Sequence, residues 1–282
     1  ETVLAVNLSA LADNVRSFRR LLRPETRLMC MVKAFAYGAG SVEVSKALQA
    51  AKTTDGQALV DYLAVAVADE GVELRKAGIT LPIVVMDPEV SAMDAIIENN
   101  LEPNIYSFQS LENIIQAVEA KGLDHYPIHI KIDSGMRRLG FYKEDMPALI
   151  TRLQQQKAVR VASVFSHLAG SDEAQFDAFT HEQAQYFQLC TEQLQSELNY
   201  PIIKHICNTA GIERFPEYHF DMCRLGIGMY GFSFLPDTRY PISDTRLKNV
   251  CTLKTTILSI KTVKSGETIG YGRHTTLNAD RQ

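Results

Sequence analysis

Short apolar runs and longer amphipathic stretches alternate along most of this chain. The runs are "RLMCMVK", "YLAVAVA", "LPIVVM", "EPNIYS", "IHIKID", "VRVASVFSHL", "IIKHICN" and "FDMCRLGI". Helical patterns such as "DEGVELRKAG", "SAMDAIIENN", "LENIIQAVEAKG" and the long "EAQFDAFTHEQAQYFQLCTEQLQSEL" separate most of them, and an amphipathic helix around "LSALADNVRSFRRLL" precedes them. Eight strand and helix units in this order predict an α/β fold, a (β/α)₈ TIM barrel, with an open doubly wound sheet as the alternative. From about Leu247 the pattern changes to Thr, Ile and Val broken by "KSGE", which reads as the first strands of an all-β domain. The expected division is a barrel over 1–235, then a linker and opening β-strands over 236–282. About 35 residues of β pattern are too few for a domain core, so the chain is expected to be cut there.

Composition narrows the class. At 282 residues and 46% hydrophobic content the chain can bury a large core, and a net charge of −4 with no Lys/Arg run gives no nucleic-acid footprint. No apolar stretch reaches the length of a membrane span. The five cysteines, Cys30, Cys190, Cys207, Cys223 and Cys251, show no CxxC spacing and read as reduced thiols of a cytoplasmic protein. The first residues lack a signal-peptide pattern, and the missing initial Met implies processing or excision from a longer chain, a fused polypeptide included.

In a barrel of this kind the chemistry belongs at the C-terminal ends of the strands. Lys33, in "MVKAFAYGAGS", ends the first run, where an unpartnered buried ammonium costs about several kcal/mol and calls for a partner or a chemical conversion. Lys131 and Asp133 end the fifth run and share a face with His129. His167 ends the sixth run, Asn208 and Thr209 the seventh, and Arg224 the eighth. Each has a plainer reading. A histidine at a strand end can serve as a hydrogen-bonding residue, Arg138 beside Arg137 as a solvated pair, Tyr37 as turn packing and "LGIGMYG" as a glycine bend. Taken together on one rim, a lysine, a hydroxyl four residues on and glycine-exposed amides suit an aldehyde that carries a phosphate. Pyridoxal 5'-phosphate meets those demands. No HExxH or Cys/His cluster with ligand spacing supports a metal.

The segments "VKAFAYGAG", "HIKIDSGMRRLGF", "SHLAGSDE", "CNTAG", "RLGIGMYG" and "GETIGYG" occur in the order and approximate spacing of the alanine racemase family, fold type III enzymes that use pyridoxal phosphate, and the chain resembles that family over essentially its whole length. It departs at Phe35 and Ala39, where the family usually has Asn and His. The resemblance implies that Lys33 binds the cofactor covalently, and that Tyr37, Thr209 and the backbone of Gly226 and Ile227 hold its phosphate. It further implies that Arg224 faces the pyridine nitrogen, that His167 and Asn208 support that wall, and that Arg138 reaches the cofactor's phenolic oxygen and the substrate carboxylate. Lys131 matches a lysine that some members carry as a carbamate.

The implied activity is interconversion of L- and D-alanine for peptidoglycan precursors by a head-to-tail homodimer. Serine or a broader specificity stays open. A second base on the opposite face, a tyrosine in a Gly-Tyr-Ala-Asp-Gly motif, is expected beyond Gln282, since Tyr271 matches an earlier element. Two rival readings are a non-catalytic pyridoxal phosphate homeostasis protein, which would lack the segment after Leu247, and a fold type III decarboxylase, which would place an acid where Arg224 stands.

Overall fold

The computed structural model describes residues 1–234 and 247–282, so most of the linker expected after residue 235 lies outside the described residues. The chain divides into two compact units, Asn7–Val250 and a second that joins Glu1–Val6 to Cys251–Gln282. Strand β1 (Thr2–Val6) belongs to the second unit. The next eight, β2 (Arg27–Met31), β3 (Tyr62–Val65), β4 (Ile83–Val85), β5 (Glu102–Ile105), β6 (Tyr126–Lys131), β7 (Val159–Phe165), β8 (Ile203–His205) and β9 (Met222–Leu225), build the first.

These eight strands are all parallel, in the order β8-β7-β6-β5-β4-β3-β2-β9. The two ends of that row meet. Asp221 N donates to Lys204 O at 3.1 Å and Arg224 N to Cys207 O at 3.0 Å, which closes the sheet into a TIM barrel. Parallel strands buried on both faces read as continuous apolar runs rather than alternating ones, as in "YLAVAVA" and "LPIVVM", while "EPNIYS" and "IHIKID" carry polar residues among the apolar ones. One apolar layer inside the barrel packs Met29, Ala64, Val84 and Met222 together, with Met31, Tyr62, Met86 and Ile203 against them.

Helices occupy the connections, and local chemistry starts them. Asn7 Oδ1 accepts from Ala10 N at 2.9 Å to cap Leu8–Arg19, and Ser107 and Ser110 form a reciprocal capping box for Phe108–Ala120. Helices Ser41–Ala50 and Met146–Gln154 are structural findings beyond the pattern reading. The first follows "YGAG" and the second has Pro147 in its first turn, and both punctuation signals mask a helix start.

In the second unit β1 pairs antiparallel with β10 (Cys251–Thr255), Thr2 opposite Thr255 and Val6 opposite Cys251. The opening "TVLAV" has no pairing signal in the sequence, because its partner lies about 250 residues away and no hairpin turn announces it. Strands β11 (Thr268–Ile269) and β12 (Thr275–Thr276) form a second short antiparallel pair, and the Tyr271 side chain between them is fully exposed.

Candidate active site

Directly after β2, Lys33 opens one helical turn, Lys33–Tyr37, of the wrong hand. Ala34, Phe35, Ala36 and Tyr37 have φ of 52°, 55°, 50° and 56°. Left-handed backbone costs L-residues roughly 1–2 kcal/mol each, so something must hold it. Glu70 is one hold. Its Oε1 accepts from Ala34 N at 2.6 Å and its Oε2 from Ala66 N at 2.7 Å, which ties the turn to the end of β3. Ala36 N also donates to Val32 O at 2.9 Å, and Gly40 N to Phe35 O at 3.0 Å. Phe35, one of the two departures from the family pattern, is exposed, whereas Ala39 is buried.

The turn delivers Tyr37 to the loop after β9. The Tyr37 ring lies 4.8 Å from that of Tyr230, and burial pushes its hydroxyl pKa up. Its Oη would stand 3.1 Å from a Cβ built on Gly226, a tight contact that the tyrosine tip would have to relax by a few tenths of an ångström. Thr209 Oγ1 accepts from Gly226 N at 3.2 Å and Gly228 N at 3.3 Å, which binds the same loop to the start of the short helix Thr209–Arg214. Asn208 caps that helix, its Oδ1 accepting from Gly211 N and Ser171 Oγ, each at 2.9 Å. Ile227 opens the turn Ile227–Tyr230, and its amide has no partner within that turn. Hydroxyls and amides thus converge on one patch of rim. A methyl at Gly228 would sit 2.4 Å from Phe18 Cζ and 2.7 Å from Thr209 Cγ2. Gly228→Ala is therefore expected to lower the unfolding free energy by about 1–3 kcal/mol, read from a urea titration midpoint, and to displace Thr209.

Arg224 is the most tightly held side chain of the rim. Its Nη1 donates to His205 Nδ1 at 2.9 Å and to His205 O at 3.3 Å. Its Nη2 donates to Ser166 O at 2.6 Å, Ile206 O at 3.0 Å and His167 Nδ1 at 3.2 Å. The guanidinium lies 5.2 Å from the Phe165 ring centroid, and His205 stacks on the same ring at 4.9 Å. Among the described residues no carboxylate touches it and none accepts from its Nε–H, which leaves that hydrogen for a ligand. Burial pushes its pKa down to about 10, a value at which it still stays charged near neutrality. Four cations act on His167, Arg224 foremost, then Lys131, Arg138 and Lys33, and after burial itself they hold its pKa well below the ordinary imidazole value. Lys33, Lys131, Arg138, His167 and Arg224 therefore share one electrostatic site, with His167 neutral in it.

Lys131, only 8% exposed, has its Nζ 5.7 Å from the Phe165 centroid and no hydrogen bond or ion pair among the described residues. Burial first, then Arg138 and Arg224, push its pKa down to about 8. Arg138 rides an exposed loop that folds back onto β6, with Phe141 N donating to Lys131 O at 2.8 Å and Asp133 N to Phe141 O at 2.9 Å. Asp133 Oδ1 shapes the loop by accepting from Gly135 N at 2.9 Å and Arg137 N at 3.0 Å.

Comparison with known proteins decides the family. The model of the alanine racemase N-terminal domain matches residues 6–234. The chain belongs to the alanine racemase family. It is 37% identical over 276 residues to alanine racemase 1 of Oceanobacillus iheyensis, across 95% of this chain and 68% of that protein, and 34% identical to an alanine racemase of Synechocystis, across 95% and 69%. Among solved structures it is similar to the alanine racemase of D-cycloserine-producing Streptomyces lavendulae, with a TM-score of 0.88 at 28% identity, covering 99% of this chain and 71% of that one. For an alanine racemase of Clostridium difficile the TM-score is 0.85 at 33% identity, covering 99% and 70%.

Within this racemase family member, Glu70, Phe165, Ser166, His205 and Tyr230 also position the residues above, though the sequence alone does not single them out. His205 in "IIKHICN" is a polar residue inside an apolar run, as His129 is, but it follows Lys204 and so lacks the strict alternation seen around His129. Glu70 in "VADEGVELRK" reads as an ordinary acid in the first turn of a helix, and only the fold shows what it accepts.

Proposed function

We propose that this chain interconverts L- and D-alanine with pyridoxal 5'-phosphate bound covalently through Lys33. One observation carries the reading: an amine, a guanidinium with a spare Nε–H, and a cradle of Tyr37, Thr209, Gly226 and Ile227 stand around the same rim. The residues fit the cofactor. A Cβ at Gly226 would crowd the Tyr37 hydroxyl, and Arg224 has one donor left over for a ring acceptor. Lys33 would hold the aldehyde carbon, the cradle the phosphate, and Arg224 the ring nitrogen, with His167 and Asn208 behind them. When bound, pyridoxal phosphate supplies the electron sink that makes the Cα–H of alanine acidic.

The chain's own groups direct that acidity. Lys33 Nζ takes and returns the Cα proton on one face. Arg224 hardly ever surrenders a proton, so an acceptor that it faces stays unprotonated, which favours return of the proton to Cα over transamination. Arg138 pairs with the substrate carboxylate. Lys131, with its lowered pKa, is a neutral amine in part of the molecules near pH 8 and takes up CO₂, losing a proton and becoming an anionic carbamate that holds Arg138. With ¹³CO₂, a carbamate carbon signal is expected by NMR and should vanish in Lys131→Arg; its presence in that variant would move the modification elsewhere.

We infer that a head-to-tail homodimer completes the site, the partner subunit supplying the opposite-face base. The reaction is assigned to the cytoplasm, supplying D-alanine for peptidoglycan precursors. The five cysteines are free, and among the described residues no helix is long and apolar enough to cross a membrane. The test is α-proton exchange in D₂O. With pyridoxal phosphate, this chain is expected to exchange the α-proton of one alanine enantiomer and to interconvert the two roughly 10²–10⁴-fold more slowly than a racemase with both bases. Equal exchange of both enantiomers would place the second base inside the chain and make Tyr271 the residue to replace.

A further inference from the structure

Arg224 donates to His205, and the chain of hydrogen bonds does not stop there. His205 Nε2 lies 2.9 Å from Ser163 Oγ, Ser163 Oγ lies 2.6 Å from His129 Nδ1, and His129 Nε2 lies 2.7 Å from Glu102 Oε2. The five residues come one each from β9, β8, β7, β6 and β5, so the chain crosses the barrel seam and four neighbouring strands. Arg224, His205, Ser163 and His129 are all buried. Glu102 opens β5 and so sits toward the N-terminal end of the barrel, opposite the rim that carries Lys33.

The direction of every link follows from the two ends. A guanidinium can only donate, so His205 Nδ1 accepts and its hydrogen is on Nε2, donated to Ser163. A carboxylate can only accept, so His129 carries its hydrogen on Nε2 and accepts the Ser163 hydroxyl at Nδ1. Both histidines are neutral and both are Nε2–H tautomers. A reversed or doubly protonated arrangement would set two donors against each other or leave the Ser163 hydrogen without an acceptor in a dry interior. Burial and the Arg224 charge, which push the His205 pKa well below the usual value, agree with a neutral ring there.

We propose that Glu102 is a positioning residue for the reaction: it fixes the direction of this chain, keeps His205 Nδ1 a standing acceptor for Arg224, and so holds the guanidinium with its Nε–H left for the ring nitrogen. The link to the ring rests on the reading under Proposed function. Glu102→Gln separates charge from shape, because the amide can also donate to His129 Nε2, turn that ring to its other tautomer and send the conflict along the chain to Arg224. Ser163→Ala cuts the chain in the middle with the loss of one oxygen atom.

Two measurements test this. In ¹⁵N-histidine NMR of the chain without cofactor, His129 and His205 are expected as neutral Nε2–H tautomers, and Arg224 is expected to show slowly exchanging Nη–H signals. In Glu102→Gln, His129 should mix tautomers and those Arg224 signals should exchange faster. A protonated or Nδ1–H His205 in the unaltered chain, or unchanged Arg224 signals in Glu102→Gln, would overturn the proposal. This arm stands whether or not pyridoxal phosphate binds, so it is independent of the reading it serves.

With cofactor bound, α-proton exchange should fall about tenfold in Glu102→Gln and in Ser163→Ala, on the scale of outer hydrogen-bond partners, with KM nearly unchanged and more pyruvate formed per exchange. The double variant should be no worse than Ser163→Ala alone. Additive losses, or a lower melting temperature with an unchanged pyruvate ratio, would reduce Glu102 to a structural role and contradict the proposal.

Discussion

Replacing Lys33 with alanine is expected to abolish covalent cofactor attachment and to lower α-proton exchange by at least roughly 10²–10⁴-fold, the contribution of one positioned base. The fold should hardly register the change. The Lys33 side chain makes no hydrogen bond or ion pair among the described residues, and the left-handed φ values begin only at Ala34. A surface-like change of about 0.5 kcal/mol or less is anticipated in a denaturant titration. Added methylamine should restore part of the exchange in Lys33→Ala, since the missing piece is an amine and not a scaffold. A large loss of stability, or no rescue by any small amine, would mean that Lys33 acts through the turn it opens.

Replacing Arg224 with glutamate should have the second large effect, and it should act on stability and on reaction course together. The carboxylate would leave His205 Nδ1 and the carbonyls of Ser166, His205 and Ile206 without their donor and would add an unpaired buried anion. Breaking such a site costs about 3–5 kcal/mol, so the variant should unfold at clearly lower denaturant. In the molecules that stay folded, the ring nitrogen would face a group that favours its protonation. Exchange should fall by about 10²–10³-fold, as for loss of a preorganised donor, while pyruvate formed per exchange rises. An unchanged pyruvate ratio would separate Arg224 from the ring.

The pattern of the chain carried the barrel because parallel strands buried on both faces leave largely apolar runs, and eight runs recur even where a strand is only three residues long, as in β4 and β8. It did not carry β1, whose antiparallel partner is at the other end of the chain. On the rim, the positions of Lys33, Lys131, His167, Asn208, Thr209 and Arg224 were legible because polar residues at the ends of apolar runs need a reason to be there, whereas Arg138, on an exposed loop, stood out only through the family resemblance. What escaped depends on relations between strands. "KAFAY" contains no glycine and no local signal for four left-handed residues in a row, and the turn rests on bonds such as Ala34 N to Glu70, a residue three elements further along the chain. His205, Ser163 and Glu102 acquire meaning only when neighbouring strands set them 2.6–2.9 Å from their partners, a matter of register that periodicity cannot express.

The most direct measurement is borohydride reduction of the chain loaded with pyridoxal phosphate, followed by peptide mapping by mass spectrometry. The account predicts a single phosphopyridoxyl group on the peptide that contains Lys33, and its loss in Lys33→Ala. A label on Lys131, or a chain that takes up no cofactor, would contradict it.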